Sequence, residues 1–467
     1  MVLVFPALTD EQRAAVCAEA GPLLIVAGPG SGKTLVLAVR VAYVIRRDGI
    51  PAERVLALTF AAKAAQELRA RLARLLGEQG RQVDVATFHA LGLRLIRRWP
   101  AALGLRPGKV TVLTSSQAHH LLDVTAAAAG IDLATRPVAE LAMWLEQLRR
   151  SDGRGPADAP WATLLQAYEG ALRRHGAVDY AAMLTWPLRL FRDRPETLRL
   201  MRDRYQVVLC DEAQDCSFPQ YRLLQLLAAR HRRLVLVGDP RQSIYAWRGA
   251  DGEVLRRFGE EFPERRVVRL TQNFRSSGRI VALANALGRP LADAGPLWTR
   301  NPPGQPVRLY LAADEVDEAG FVAAEIARLL GSGAVTGASE IAVLYRVHQQ
   351  REPLARALRA ARLAVGRAAG EEAIRLSTIH QAKGAEWAVV FVVGVEEGLL
   401  PHYHALEARA VEQLAAELRL AYVAVTRPRL RLYLTCCRQR RQGDQLRPRG
   451  TSRFLEGLPA GLLARAA

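Results

Sequence analysis

The sequence predicts an α/β protein built from two parallel sheets, with a helical segment inserted in the first of two domains. Short apolar runs alternate with longer stretches of helical periodicity, a pattern typical of buried parallel strands joined by helices. The 467 residues exceed the size of about 250 to 300 residues at which one hydrophobic core stops growing. We therefore expect at least two domains.

Apolar runs of strand length fall into two groups along the chain. Those predicted for the first sheet are residues 23–27, 55–60, 83–88, 207–210 and 234–237. Those predicted for the second sheet are residues 267–270, 307–311, 341–345, 374–377, 389–393 and 432–435.

Residues 90–204, between the third and fourth runs, show helical periodicity with Pro and Gly interruptions at 153–160. We expect them to form an inserted helical subdomain. The predicted boundaries are 1–89 and 205–262 for the first α/β domain, 90–204 for the insertion, 263–456 for the second α/β domain and 457–467 for a C-terminal tail. The basic stretch 438–449 is expected to be a loose, solvated segment.

Composition limits the kinds of partner. The chain has 65 Lys plus Arg against 46 Asp plus Glu, a net charge of +19 that favours a polyanionic partner. An arginine-rich solvated surface explains the same charge equally well. No apolar stretch reaches the ~20 residues needed to cross a bilayer, and the N-terminus lacks the features of a signal peptide. We therefore expect a cytoplasmic protein that does not contact a membrane.

The five cysteines show no spacing typical of a metal site. They are Cys17, Cys210, Cys216, Cys436 and Cys437. We expect reduced, buried thiols and no zinc or iron–sulfur centre.

A glycine-rich segment follows the run 23–27 and precedes a helical stretch. It reads Gly-Pro-Gly-Ser-Gly-Lys-Thr over residues 28–34. Glycines let backbone N–H groups converge on phosphate oxygens at a helix N-terminus, while Lys33 reaches the β and γ phosphates and the Thr34 hydroxyl binds Mg²⁺. We therefore predict an ATP site formed by Ala27, Gly28, Gly30, Ser31, Gly32, Lys33 and Thr34, in which Ala27 replaces the first glycine of the strict pattern.

Two carboxylates, Asp211 and Glu212, follow the apolar run 207–210. Open α/β sheets hold ligands at the carboxyl ends of their strands. Asp211 is predicted to bind Mg²⁺, and Glu212 to accept a proton from the attacking water. A helix cap is the alternative for an isolated acidic pair, and the preceding phosphate loop argues against it.

The ordered motifs of this chain resemble those of the UvrD/Rep/PcrA-type superfamily 1 DNA helicases, from Gln12 to Arg427. The most specific segment is GDPRQSIYAWRGA at 238–250, which is similar to motif III of that family. Other matching segments are TFAAKAA at 59–65, TFH at 87–89, QNFRS at 272–276, TIHQAKGAEW at 378–387 and the segment 417–427. The resemblance implies two RecA-like domains of a P-loop NTPase.

The resemblance also implies roles at the nucleotide. Gln12 would read the adenine edge, Phe274 would stack on the adenine ring, and Glu386 would contact the ribose. Gln242 would sense the γ-phosphate, with Arg275 and Arg427 as arginine fingers. Arg69 would be a further phosphate contact. The alternative for each arginine is a surface salt bridge.

The residues that the resemblance assigns to single-stranded DNA are Phe60, His89, Tyr245, Trp247, Arg248 and His380. Aromatic faces stack on any base for about 1 to 3 kcal/mol each, which holds a strand without reading its sequence. A buried aromatic pair is the alternative for Tyr245 and Trp247. Ala61 and Ala62 stand where the family usually has Thr-Asn, so we expect one strand contact to be missing.

The activity implied by the resemblance is that of an ATP-dependent 3′ to 5′ DNA helicase or single-stranded DNA translocase. It would use ATP and Mg²⁺ on single-stranded and tailed duplex DNA, in DNA repair or replication restart. The residues do not distinguish DNA from RNA as the track.

Two other functions stay open. One is the motor subunit of a nuclease or anti-phage defence complex, which needs a nuclease or repair partner protein. The other is an ATP-switched nucleic-acid clamp without turnover. Residues 363–373, a short connection, replace the family's accessory 2B subdomain.

Overall fold

The computed structural model describes residues 7–108, 110–130, 159–246, 252–291, 294–366, 372–407, 410–442 and 445–465. The chain divides into two compact units. The first unit contains Met1–Ile25, Thr34–Gly238 and Arg248–Val268, and the second contains Val26–Lys33, Asp239–Trp247 and Arg269–Ala467.

The first sheet has six strands in the order β3-β2-β6-β7-β1-β8. β2 pairs in parallel with β3 and with β6, and β6 pairs in parallel with β7. The strands up to β8 are β1 (Leu23–Ala27), β2 (Val55–Thr59), β3 (Asp84–Thr87), β4 (Thr111–Val112), β5 (Ala177–Val178), β6 (Val207–Cys210), β7 (Leu234–Gly238) and β8 (Arg266–Leu270). Every residue of β1, β2, β6 and β7 is buried, which explains their continuous apolar runs.

Two strand predictions need correction. Residues 267–270 were predicted to begin the second sheet, which is wrong, because β8 is an edge strand of the first sheet. Arg266 N donates to Pro22 O at 3.0 Å, and Gly28 N donates to Leu270 O at 3.3 Å. In the run 83–88, Phe88 is the first residue of a helix, because the Thr87 hydroxyl caps that helix by accepting from Ala90 N at 3.2 Å.

Helices alternate with the strands of the first sheet and make up most of the segment 90–204 where it is described. They are α1 (Asp10–Val16), α2 (Lys33–Arg46), α3 (Ala62–Leu76), α4 (Glu78–Gln82), α5 (Phe88–Arg98), α6 (Ser115–Ala128), α7 (Ala159–Arg174), α8 (Tyr180–Asp193), α9 (Pro195–Arg204), α10 (Phe218–Ala228) and α11 (Val254–Glu261). α5 and α8 pack closely, since a Cβ on Gly92 would lie 1.8 Å from the Met183 carbonyl oxygen. The short parallel pair β4 and β5 was not predicted, because two residues give no periodic pattern.

The second sheet has seven strands in the order β11-β12-β10-β13-β14-β9-β17, and all neighbouring pairs are parallel. Its strands are β9 (Val307–Ala312), β10 (Ile341–Tyr345), β11 (Val365–Gly366), β12 (Ile374–Thr378), β13 (Trp387–Val392), β14 (Pro428–Cys437) and β17 (Leu463–Arg465). The accompanying helices are α12 (Gly278–Gly288), α13 (Glu315–Gly331), α14 (Arg351–Ala360), α15 (Tyr403–Glu407) and α16 (Val411–Val425).

Helices cover both faces of the second sheet. One apolar core joins α12 and α16 to the sheet and includes Leu283, Tyr422 and Val390. The other joins α13 and α14 to the sheet and includes Ile326, Leu358 and Val389. The predicted fold class, α/β with two RecA-like parallel sheets and a helical insertion in the first, is confirmed.

Three predicted irregular segments contain regular structure. The connection 363–373 includes β11, and its residues 367–371 lie outside the described part of the chain. The predicted tail 457–467 includes β17, which pairs with β9. The stretch 438–449 was predicted to be loose, which is wrong, since it forms the antiparallel hairpin of β15 (Gln439–Gln442) and β16 (Gln445–Pro448).

A buried ion network ties this hairpin to the second sheet. Arg440 donates from Nε to Glu396 Oε1 and from Nη2 to Glu318 Oε2, both at 2.7 Å. Both carboxylates are almost fully buried, at 0% and 2% exposure. Buried carboxylates need a cation or donors, so Arg440 fixes the hairpin in place.

The remaining expectations concern cysteines and membranes. All five thiols were predicted to be buried, and four of them are. The prediction is wrong for Cys17, which is exposed because it follows the short helix α1 at the surface. Among the residues described, no helix is long and apolar enough to cross a bilayer.

We expect Arg440→Ala to lower the free energy of unfolding by about 3 to 5 kcal/mol, because it leaves Glu318 and Glu396 buried without their cation. The matched control is Arg441→Ala, which removes an exposed arginine from the same strand. Urea unfolding followed by circular dichroism measures both. Equal stabilities of the two variants would contradict the assignment.

Candidate active site

The glycine-rich loop between β1 and α2 has the backbone shape of a phosphate cradle. Gly30 and Gly32 have φ angles of +69° and +81°, a left-handed conformation that side-chain-bearing residues rarely adopt. Ser31 is buried and its hydroxyl donates to Gly28 O at 2.7 Å, which closes the turn. The two left-handed glycines and this hydrogen bond form the local turn of the loop.

The segment Asn273 to Arg275 packs against this loop within the second unit. Asn273 Nδ2 donates to Pro29 O at 2.8 Å, and Phe274 N donates to Gly30 O at 2.9 Å. A Cβ on Gly30 would lie 2.7 Å from Arg275 Cβ and 2.8 Å from Asn273 Nδ2. Gly30 is needed here for close approach as well as for its φ angle.

Asn273 also orders the residues that follow it. It is 2% exposed, and its Oδ1 accepts hydrogen bonds from Arg275 N at 2.9 Å and Ser276 N at 2.7 Å. One buried amide thus fixes both the loop and the turn that carries Phe274 and Arg275. The Phe274 ring is 47% exposed, as a ring that stacks on a ligand requires.

Arg275 is held on a second side by residues far away in sequence. Its Nε donates to Glu386 Oε2 at 2.6 Å, and its Nη1 donates to Thr426 O at 3.2 Å. The resemblance assigned Arg275 to phosphate and Glu386 to ribose. In this structure the two side chains pair with each other.

Gln242 joins two cationic residues. Its Oε1 accepts from Arg427 Nη2 at 3.2 Å, and its main-chain oxygen accepts from Lys383 Nζ at 2.6 Å. Its Nε2 donates to Asp239 Oδ2 at 2.9 Å, and Asp239 is fully buried. The amide is therefore oriented by Asp239 with its oxygen toward Arg427.

Arg427 is 2% exposed, and its guanidinium makes further hydrogen bonds to protein oxygens. Nε donates to Val423 O at 2.9 Å, and Nη1 donates to Ala385 O at 3.3 Å. Nη2 also donates to Thr426 Oγ1 at 3.0 Å. A ligand that engages Arg427 through Nη2 must compete with Gln242 and Thr426, because that nitrogen already donates to both.

Asp211 and Glu212 follow β6 in the first unit. Glu212 has φ +52° and ψ +39°, a left-handed conformation that costs a non-glycine residue roughly 1 to 2 kcal/mol. Asp211 Oδ1 accepts from Glu212 N at 3.0 Å, and Gln214 Nε2 donates to Glu212 Oε2 at 2.5 Å. These bonds hold two adjacent carboxylates in a strained turn, a conformation that is often found at functional sites.

Gln12 and Arg69, which were also predicted to contact the nucleotide, have hydrogen-bond partners within the first unit. Gln12 Oε1 accepts from Thr9 N at 3.2 Å in a capping box of α1. Arg69 Nη2 donates to Val85 O. Thr34 is the second residue of α2 and is half-buried.

The residues that the resemblance assigns to single-stranded DNA lie in both units. In the first unit, the Phe60 ring lies 5.7 Å from the Phe88 ring, and His89 lies 5.4 Å from Tyr180. In the second unit, the Tyr245 hydroxyl donates to His380 O at 3.2 Å. Trp247 and Arg248 lie outside the described residues.

Lys383 had no role assigned from the sequence, although it stands in the segment 378–387. Its Nζ lies 5.1 Å from the centre of the Tyr245 ring, within reach of a cation–π contact, while it donates to Gln242 O. Asn273 and Asp239 were also missed. All three stand inside the matching segments, and this position is the signal that could have drawn attention to them.

The structure divides the predicted site residues between its two units. Those of the second unit are Ala27, Gly28, Gly30, Ser31, Gly32, Lys33, Gln242, Tyr245, Phe274, Arg275, His380, Glu386 and Arg427. Those of the first unit are Gln12, Thr34, Phe60, Arg69, His89, Asp211 and Glu212.

A cluster of possible metal ligands elsewhere in the second unit is already compensated. Glu318, Glu396 and Cys437 lie together and are buried. Arg440 bonds to both carboxylates and to Cys437 Sγ at 3.0 Å, so this cluster is an ion network.

Comparison with known proteins covers most of the chain. Residues 8–263 match the UvrD/REP helicase N-terminal domain. Residues 268–367 and 366–439 match the UvrD-like helicase C-terminal domain.

Curated relatives match over part of their length. DNA helicase II of Escherichia coli (strain K12) is 36% identical over 365 residues, which cover 75% of this chain and 50% of that protein. The ATP-dependent DNA helicase PcrA of Staphylococcus epidermidis is 34% identical over 359 residues, covering 74% of this chain and 49% of that protein. The chain thus spans about half the length of the curated relatives it matches.

We expect Gly30→Ala to weaken ATP binding by about tenfold or more, because the new Cβ collides with Asn273 and Arg275 in addition to straining φ. Gly49→Ala is the matched control, since Gly49 also has φ +69° but has no atom within 4 Å of the added Cβ. Isothermal titration calorimetry measures ATP binding by both variants. Equal affinities would show that the packing of the loop on Asn273 is unimportant.

Proposed function

We propose that this chain, which belongs to the UvrD/REP helicase family, hydrolyses ATP to move along single-stranded DNA and to unwind tailed duplex DNA. The observation that carries the proposal is the pair of contacts at Gln242. This residue bonds Arg427, a candidate phosphate contact, and Lys383, which lies over the candidate strand contact Tyr245. Gln242 therefore connects the proposed site of hydrolysis, through its side chain, with the proposed site for single-stranded DNA, through its main-chain oxygen.

The chain's donors fit ATP and Mg²⁺. The Gly28–Lys33 backbone has the conformation of a phosphate cradle, and Lys33 stands at the start of α2 as a point charge for the phosphates. The Thr34 hydroxyl and the Asp211 carboxylate are hard oxygen donors of the kind that Mg²⁺ prefers. Bound Mg²⁺ would neutralise charge on the phosphate oxygens. Glu212 would accept the proton of the attacking water.

Arg275 and Arg427 would stabilise the charge that develops on the transferred phosphoryl group. Arginine fingers of this kind are worth roughly 10³ to 10⁵ in rate. In this structure their partners are Glu386 and Gln242, at 2.6 and 3.2 Å. Engagement of a phosphate by Arg427 would release the Gln242 amide, which would then be available to sense the γ-phosphate.

A movement of Gln242 on its release would reach the bound single-stranded DNA through Lys383. Its Nζ bonds the Gln242 main-chain oxygen and lies over the Tyr245 ring, and the Tyr245 hydroxyl bonds His380 O. A shift at Gln242 would therefore change how tightly Tyr245 holds a base. A motor that binds single-stranded DNA alternately tightly and loosely advances along it.

Direction, substrate and pathway belong to the same proposal. We infer 3′ to 5′ movement on DNA and a role in DNA repair or replication restart, because the motifs resemble those of UvrD-type helicases throughout. The relatives named DNA helicase II and ATP-dependent DNA helicase PcrA support DNA as the track. Stronger stimulation of hydrolysis by single-stranded RNA than by single-stranded DNA would contradict DNA as the track.

A second candidate is a motor subunit that unwinds only with a nuclease or repair partner. The short connection 363–373, which stands where the family has its accessory 2B subdomain, favours this candidate. The two stretches that match the C-terminal domain, 268–367 and 366–439, meet there without intervening residues. Forked duplexes with a 3′ or a 5′ tail separate the candidates. Unwinding of the 3′-tailed fork by the chain alone supports the helicase, and strand-stimulated hydrolysis without unwinding supports the partner-dependent motor.

We expect single-stranded DNA to stimulate ATP hydrolysis strongly and Glu212→Gln to lower kcat by about 10² to 10⁴, because the amide cannot accept the proton. ATP affinity should stay within about threefold of wild type, since Gln keeps the shape of Glu. Glu78→Gln is the control, as Glu78 is an exposed carboxylate paired with Arg81. A wild-type chain that binds ATP and DNA without turnover would instead be an ATP-switched clamp.

A further inference from the structure

Two cysteines flank the acidic turn of the first unit. Cys210 is the last residue of β6, and Cys216 follows the 3₁₀ turn Ala213–Asp215. Both side chains are fully buried, and their Sγ atoms lie 3.7 Å apart. Asp211 and Glu212 stand between them in the chain.

The turn brings the two thiols together through its backbone. Asp215 N donates to Glu212 O at 2.9 Å, and Cys216 N donates to Ala213 O at 3.1 Å. Together with the left-handed conformation of Glu212, these bonds fold the chain back so that residue 216 lies beside residue 210. A disulfide requires an S–S distance of about 2.05 Å, which rotation of two adjacent side chains and a small backbone shift can reach from van der Waals contact.

We propose that Cys210 and Cys216 form an oxidisable dithiol whose disulfide reversibly stops ATP hydrolysis. The effect on hydrolysis rests on the proposed function, whereas formation of the disulfide does not. Closing the ring from 210 to 216 pulls on the backbone that places Asp211 and Glu212. A displacement of about 1 Å in a catalytic group can cost roughly 10² in rate.

The oxidant is a peroxide. The thiolate of one cysteine attacks a peroxide oxygen, the O–O bond breaks, and the products are a sulfenic acid and a hydroxide that takes up a proton to become water. The sulfur of the second cysteine then attacks the sulfenic sulfur, the S–O bond breaks, and a second water leaves with the second thiol proton. Two thiols lose two electrons in total, and hydrogen peroxide is reduced to two waters.

Burial makes this reaction slow. Cys210 and Cys216 are both 0% exposed, so a peroxide in solution cannot reach either sulfur while the turn is closed. Peroxide entry therefore requires local opening of the turn. The dithiol is accordingly expected to respond to sustained peroxide and to resist brief exposure.

The first measurement is the mass of one tryptic peptide. Cleavage after Arg204 and Arg222 gives a peptide of residues 205–222 that contains both thiols and no other cleavage site. The full chain is incubated with hydrogen peroxide, quenched with catalase, blocked with iodoacetamide and digested without reductant. We expect this peptide to lose two hydrogens and to escape alkylation, and treatment with dithiothreitol to reverse both changes.

The second measurement is strand-stimulated hydrolysis on the same samples. We expect peroxide to lower the wild-type rate by about tenfold or more, with recovery in dithiothreitol. Cys210→Ala and Cys216→Ala should each lose less than about twofold under the same treatment, because neither can close the ring. Cys17→Ala removes the exposed thiol and should stay as sensitive as wild type.

Three results would overturn the proposal. The first is a peptide 205–222 that alkylates fully at both thiols after peroxide treatment. The second is a disulfide that forms without a change in hydrolysis, and the third is inactivation that persists in both Cys→Ala variants. A reduced wild-type chain without any strand-stimulated hydrolysis would instead contradict the proposed function, while the peptide mass would still report on the disulfide.

Discussion

The contacts of Gln242 organise the site of the second unit, because they connect residues that otherwise belong to separate segments. The main-chain oxygen holds the Lys383 ammonium at 2.6 Å, and the side-chain oxygen holds the Arg427 guanidinium at 3.2 Å. Both acceptors are neutral, and Asp239, fully buried, orients the amide from the opposite side. A phosphate that attracts Arg427 therefore competes with a neutral amide and does not need to break an ion pair at this residue.

Burial decides how far each arginine can move. Arg427 is 2% exposed and donates to the carbonyls of Val423 and Ala385 as well as to Gln242, so its position is set by contacts with three separate segments of the chain. Preorganised charge of this kind is effective because it needs little reorganisation during the reaction. Arg275 differs, since its partner Glu386 is 42% exposed and can be exchanged for a ligand at a lower desolvation cost.

The local features were predictable from the sequence, and the long-range contacts were not. The glycine spacing in residues 28–34 predicts a phosphate loop, and glycine permits the left-handed φ angles found at Gly30 and Gly32. The apolar runs indicate buried strands by composition alone. The composition of the run 267–270 is compatible with a strand in either sheet, so its place beside β1 could not be deduced. Arg440 looked like one basic residue among several, because its partners Glu318 and Glu396 lie 122 and 44 residues away. The Gln242 and Arg427 contact spans 185 residues in the same way.

The most direct test of this account is a double-mutant cycle on the maximal rate of strand-stimulated ATP hydrolysis, with Gln242→Ala, Arg427→Ala and the double variant. If the two side chains act as one unit, the double variant should be within about twofold of the more impaired single variant. ATP binding measured in parallel separates loss of affinity from loss of rate. Two losses that simply multiply would mean that Gln242 and Arg427 act independently, and would contradict the proposed coupling of the phosphate site to the strand.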